Sequence, residues 1–160
     1  RGYQRACAGQ VRYVVTNEYG MQNLPKAVAL AQTACAADEA LACSDLAELY
    51  YAGEGVAVDR AQAAALFRKS CDGNGPASAC FNYAIMLDKR QVEDFAPARA
   101  FEYYRTACRN GSNEACINLA ADYLDGQRVS FDLDIAEGLL EQACNRESLT
   151  ACANLGSLLV

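Results

Sequence analysis

Nine cysteines stand at positions 7, 35, 43, 71, 80, 108, 116, 144 and 152 of a 160-residue chain, and their spacing constrains the fold more than anything else in the sequence. The four intervals Cys7 to Cys35, Cys43 to Cys71, Cys80 to Cys108 and Cys116 to Cys144 are identical in length. The gaps between and after them are identical too, except that Cys71 to Cys80 is one longer, so the pattern returns every 36 or 37. A fixed period of this length is the signature of a repeat architecture, in which each unit buries its apolar face against its neighbours.

Aligning the chain on Cys7, Cys43, Cys80, Cys116 and Cys152 (position 0) exposes the rest of the repeat. Ala precedes each of these cysteines (Ala6, Ala42, Ala79, Ala115, Ala151), and at +20 Ala returns as Ala27, Ala63, Ala100 and Ala136. Leu46-Ala47, Tyr83-Ala84, Leu119-Ala120 and Leu155-Gly156 stand at +3 and +4, with Tyr50, Leu87, Tyr123 and Leu159 at +7. Apolar residues at 0, +3, +4 and +7 make one face of a helix, helix A. Position +16 reads Asn23, Asp59, Ala96 and Asp132; Asn and Asp cap helix N-termini, so a second helix, B, starts there. Helix B carries large apolar residues at +23 (Leu30, Leu66, Tyr103, Leu139) and ends near the cysteine at +28. The segments Gly73-Asn74-Gly75 and Asn110-Gly111 are expected to stop it. Each unit is thus an αα-hairpin, and the chain reads as an all-α solenoid. The expected organisation is one domain over 1–160: a degenerate first repeat at 1–35, repeats at about 36–71, 72–108 and 109–144, and a partial final repeat at 145–160. The opening RGYQRACAGQ has neither a start Met nor a leader's apolar run, and the chain reads as a piece of a longer one.

Composition removes several functions. There is no His, which excludes His-based acid/base chemistry and His-ligated metal. A net charge of −6 argues against nucleic acid as a partner. No apolar run approaches the roughly 20 residues that cross a bilayer, so no membrane insertion is expected. No serine has Lys three positions on, as S-x-x-K acyl enzymes require. Scattered carboxylates such as Glu39, Asp45, Glu54, Asp122 and Asp125 read as a solvated acidic surface. No catalytic residue, metal or cofactor is expected.

The pattern A-C-x-x-L-[AG]-x-x-[YL], then G-x-G-V-x-x-D, then Ala and a second Cys, resembles Sel1-like repeats. The stretches 43–71 and 116–144 carry the resemblance best, and 8–22 least. The cysteine placement is similar to that of cysteine-rich Sel1 proteins of Helicobacter and of mitochondrial assembly factors. Cysteine spacing alone allows pairing across the long intervals (7–35, 43–71, 80–108, 116–144) or across the short gaps. The resemblance implies the short set: Cys35–Cys43, Cys71–Cys80, Cys108–Cys116 and Cys144–Cys152, with a partner for Cys7 upstream of residue 1. It also implies a TPR-like right-handed superhelix of about four repeats. Regular disulfides point to an oxidising compartment: periplasmic or secreted, with the mitochondrial intermembrane space behind.

Proteins resembling this one line a concave surface with positions +1, +5 and +8 of helix A. Here these are Ser44, Glu48 and Tyr51, then Phe81, Ile85 and Asp88, then Ile117, Ala121 and Leu124. The apolar members suit an interaction surface, with Arg5, Lys89 and Asp125 as a polar rim. Asp45, Asn82, Asn118 and Asn154, at +2, are further polar candidates. The expected partner-binding residues are therefore Glu48, Tyr51, Phe81, Ile85, Lys89, Ile117 and Leu124, and the expected function is a scaffold that binds another protein or peptide. Two alternatives stand beside it: a cell-wall-related binder or weak β-lactamase-like hydrolase, and an assembly factor in an oxidising compartment.

Overall fold

The structure, a computed structural model, describes residues 24–92 and 97–158. Every regular element among them is a helix: α1 (Leu24–Ala36), α2 (Ala40–Ala52), α3 (Arg60–Asp72), α4 (Ala77–Asp88), α5 (Pro97–Arg109), α6 (Asn113–Asp125), α7 (Leu133–Cys144) and α8 (Leu149–Leu158). The fold is an all-α repeat: α2, α4, α6 and α8 are the A helices, and α1, α3, α5 and α7 the B helices. Arg5, Cys7, Asn23, Ala96 and Leu159 lie outside the described residues.

Asp59 and Asp132 form the caps expected of them. The Asp59 carboxylate accepts from the Gln62 N–H at 2.9 Å, and that of Asp132 from the Ile135 N–H at 3.0 Å. Each satisfies a donor that the first helical turn leaves orphaned. The same two residues close the A-to-B turn through their own N–H groups, which donate to Tyr50 O (3.0 Å) and Tyr123 O (3.1 Å).

The B-to-A turn is one device used four times. Asp38, Asn74, Gly111 and Glu147, all at +31, take φ of 61°, 59°, 104° and 66°. The next N–H, of Glu39, Gly75, Ser112 and Ser148, donates back to Ala34, Ser70, Ala107 and Ala143 O at 3.1, 2.8, 2.9 and 3.2 Å. Gly73 does not take the left-handed turn assigned to its segment: its φ is −87°, and Asn74 makes the reversal. Gly75 is needed for room instead, since a Cβ there would stand 2.2 Å from Ser70 Oγ. That hydroxyl donates to Ala40 O at 2.6 Å and ties α3 to the start of α2. Helix A ends the same way at +10, where Gly53, Arg90 and Gly126 have φ of 76°, 52° and 68°.

The helices group into two compact units, one ending at Ala79 and the other beginning at Cys80, within α4. In the first unit α2 packs on both α1 and α3. Cys43, Leu46 and Ala47 face inward as expected, and Ala27, Ala42 and Ala63 are fully buried, which lets helix backbones approach closely. Lys69 Nζ reaches across to donate to Cys35 O at 2.9 Å, satisfying a carbonyl at the end of α1. It also pairs with Asp38 at 2.8 Å, which holds that carboxyl below its usual range.

In the second unit α6 packs on α5 and α7, and α7 on α8. Cys80, Ala84, Leu87, Cys116 and Ala120 fill the core face of helix A. Arg146 does at α5 what Lys69 does at α1, donating to Cys108 O at 3.3 Å. In both units the fully buried large residue of helix B is at +24 (Phe67, Tyr104, Leu140) rather than at +23, where Leu66, Tyr103 and Leu139 are half-buried. Tyr103 packs edge-on against Tyr83, with centroids 4.6 Å apart.

The structure joins Cys35 to Cys43, Cys108 to Cys116 and Cys144 to Cys152, the short pairing that the resemblance implied. Cys71 and Cys80 are disulfide-bonded as well.

Candidate functional site

The sequence-predicted binding residues fall in both units. In the first, Glu48 and Tyr51 are exposed near the end of α2, and the Arg60 guanidinium lies 5.2 Å from the centre of the Tyr51 ring. Ser44, expected beside them on the partner-binding face, is only 2% exposed, so the +1 position of α2 is core. In the second unit Phe81, Ile85, Ile117 and Leu124 are all half-buried and Lys89 is exposed. Phe81 leans on Tyr104, ring centroids 6.0 Å apart, and is more packed than a free anchor would be.

Ile117, Ala121 and Leu124 do come together. They form one wall of an open cleft of ≈ 290 Å³ in the second unit, opposite Asn154, Ser157 and Leu158 of α8. Leu140 of α7 lies at its base beside Ala120. Ile117 and Leu124 also rest on the cluster of Ala120, Ala136 and Leu140, so the wall is fixed by the core behind it. The cleft is mainly apolar, with Asn154 and Ser157 as exposed polar groups. An open cavity with an apolar floor and a few polar groups takes apolar side chains and orients what carries them.

A polar network runs beside this wall, built from residues with no sequence motif to announce them. Arg128, in the turn after α6, pairs with Asp88 at 2.9 Å and with Asp122 at 3.4 Å. Asp88 also accepts from the Tyr104 hydroxyl at 2.7 Å. Burial, with the neighbouring Asp88 charge, pushes the Tyr104 phenol well above its ordinary value; Asn118 hydrogen-bonds the same ring hydroxyl. Burial likewise raises the Asp122 carboxyl, against the pull of Arg128. Every charge in this network has a partner, and its evident role is to fasten the turn after α6 to the end of α4. Asn118, one of the +2 candidates, thus serves the network, while Asn154 is on the cleft. Among the described residues, no group of three or more His, Cys, Asp or Glu is placed to hold a metal ion. No helix there is long and apolar enough to cross a membrane.

The Sel1 repeat family matches residues 17–39, 40–75, 77–112 and 113–148. This chain belongs to the Sel1 repeat family. Its helical pairs also superpose on solved Sel1-type structures. The Sel1 repeat protein of Oxalobacter formigenes matches with a TM-score of 0.86 over 96% of this chain and 63% of its own, at 19% identity. A protective antigen of uropathogenic Escherichia coli with the same fold gives 0.84 over 97% of this chain and 33% of its own, at 24% identity. Cysteine rich protein B of Helicobacter pylori gives 0.64 over 84% of this chain and 96% of its own, at 22% identity. At these identities the likeness is one of fold. In sequence, the chain is 33% identical over 118 residues to cytochrome c oxidase assembly factor 7 of Xenopus tropicalis, and 32% identical over 115 residues to factor 7A of Xenopus laevis. These alignments cover 70% and 68% of this chain, which spans about half the length of those relatives (51% and 50%).

Proposed function

We propose that this Sel1 repeat chain is a non-catalytic scaffold that seats a segment of another protein on its helix-A face, in the cleft between α6 and α8. The observation that carries the reading is the cleft itself, whose wall consists of Ile117, Ala121 and Leu124, at positions +1, +5 and +8 of one A helix. Phe81 and Ile85 stand at +1 and +5 of α4, followed by the exposed Lys89; Glu48 and Tyr51 hold +5 and +8 in the first unit. The chain's chemistry suits binding better than turnover: it has no His, and no serine in an S-x-x-K setting.

The relatives named as cytochrome c oxidase assembly factors favour one particular use of such a scaffold. An assembly factor holds an unfinished component, a task for a binding surface. The disulfides favour an oxidising compartment, either the periplasm or cell exterior or, following the assembly-factor reading, the mitochondrial intermembrane space.

The test is site-specific photo-crosslinking in the native compartment. A photoreactive residue at Asn154, on the cleft, should give a discrete adduct with another protein. The same residue at Ala65, exposed on α3, should not. Ala121→Arg, which fills the cleft from an exposed position, should remove the adduct while leaving the melting temperature unchanged. Equal labelling from both sites, or an adduct indifferent to Ala121→Arg, would place the partner elsewhere.

A further inference from the structure

The charge around the cleft says what kind of segment it suits. Between Asn113 and Leu158 the chain carries eight carboxylates and two arginines, a balance of −6, and no lysine. Neither arginine faces the cleft as a free cation: Arg128 is held by Asp88 and Asp122, and Arg146 donates to Cys108 O. The apolar wall therefore lies in a strongly negative stretch with its positive charges already engaged.

Two of those carboxylates share the face of the wall. Glu114, Ile117, Ala121 and Asp125 stand at i, i+3, i+7 and i+11 of α6, within about 80° of arc at 100° per residue. Glu114 and Asp125 are exposed and lie at opposite ends of the apolar strip, about 16 Å apart along the axis at 1.5 Å per residue. Glu114 has a local explanation: it is in the first turn, where a negative charge suits the helix dipole, and it accepts from Ser112 Oγ at 3.2 Å. Asp125 is the last residue of α6, where a carboxylate opposes the dipole. It accepts from Gln127 Nε2 at 3.1 Å on the surface, which does not account for an acid at that end. Helix stability favours a neutral or basic residue there, and an incoming cation favours the acid.

We propose that the α6–α8 cleft takes a cationic amphipathic segment of a partner protein, in which a short apolar row is flanked at both ends by Lys or Arg. The apolar side chains enter between Ile117, Leu124 and Leu158, and the flanking cations meet Glu114 and Asp125. This rests on the cleft being the docking site. Exposed charge pairs of this kind contribute modestly to affinity but select between partners and speed their encounter.

The test uses the full chain and three synthetic helical peptides with the same apolar row, flanked by Lys, by Gln or by Glu. Titration calorimetry should rank them Lys, then Gln, then Glu. The Lys peptide should bind about fivefold or more tightly than the Gln peptide, and the advantage should shrink as salt rises. Ala121→Arg should abolish binding of all three. In the double variant Glu114→Gln and Asp125→Asn, both surface changes whose fold is checked by melting, the Lys and Gln peptides should become equivalent. If Lys and Gln peptides bind alike to the unaltered chain and Ala121→Arg blocks both, the cationic inference is overturned while the cleft survives as a docking site. If Ala121→Arg affects none of them, the cleft reading fails with it. Self-association of the chain that Ala121→Arg abolishes would assign the cleft to a second copy and overturn the inference too.

Discussion

Among the described residues two positions of the repeat are held at positive φ, yet they are not filled by the same residue. At +31 stand Asp38, Asn74, Gly111 and Glu147; at +10, Gly53, Arg90 and Gly126. Asp and Asn tolerate the left-handed region through local hydrogen bonding, whereas a longer side chain at such a position costs roughly 1–2 kcal/mol. Glu147→Gly should therefore stabilise the protein by about 1 kcal/mol, read as a rise in the urea midpoint. Gly111→Ala should do the reverse. A Cβ there meets nothing within 4 Å, so any loss is conformational and not a clash. If Glu147→Gly lowers the midpoint instead, the added freedom of glycine in the unfolded chain outweighs the relief of strain.

The element that repeats is the αα-hairpin, and its inward face was legible because a helix declares its buried side every three or four residues. In α2, α4 and α6, Cys, then Leu or Tyr, then Ala at 0, +3 and +4 are buried where the pattern put them. Leu87, at +7 and 0% exposed, shows what one such position contributes: Leu87→Ala should cost about 2–5 kcal/mol, measured by chemical denaturation. A loss below about 1 kcal/mol would mean that the core closes over the gap. The errors of the reading have physical causes at this same scale. Positions +23 and +24 are neighbours in sequence but point about 100° apart around helix B, so the large residues expected at +23 pack on the core only partly while those at +24 are the ones fully buried. Ser44 is polar, and its position on α2 was read as surface although the structure buries it. The network of Tyr104, Asp88, Arg128 and Asp122 left no trace in the sequence, because its members are divided between two successive hairpins and are brought together only when these stack. The cleft was half visible: Ile117 and Leu124 were found from the helix-A register, and the same register counted from Cys152 puts Ser157 at +5, whereas Leu158, at +6, lies off it.

Over the whole molecule, stability leans on covalent staples. In the chain-entropy account each short bridge contributes about 2.5 kcal/mol, so the three described ones together rival the roughly 5–15 kcal/mol that holds a typical domain folded. Reduction should lower the melting temperature steeply, followed by circular dichroism with and without reductant; an unchanged melt would show that helix packing suffices alone. The boundary between the two compact units, at Ala79 and Cys80, falls beside the one short cysteine gap that is a residue longer than the rest. The extra residue sits in the B-to-A turn: Gly75 and Pro76 both follow the left-handed Asn74 before α4 begins, where Glu39, Ser112 or Ser148 alone serves at the other turns.

The bridges seen here each join cysteines at a sequence separation of 8. A chain with nine thiols faces many possible mispairings as it oxidises. Closing the short loop rather than the long one saves about 1 kcal/mol of chain entropy, on the order of a sixfold kinetic advantage for the near partner. Each staple can therefore be set as soon as its own two helices have been made, with no need to wait for distant sequence. Oxidative maturation becomes a series of local events, each confined to one helix pair.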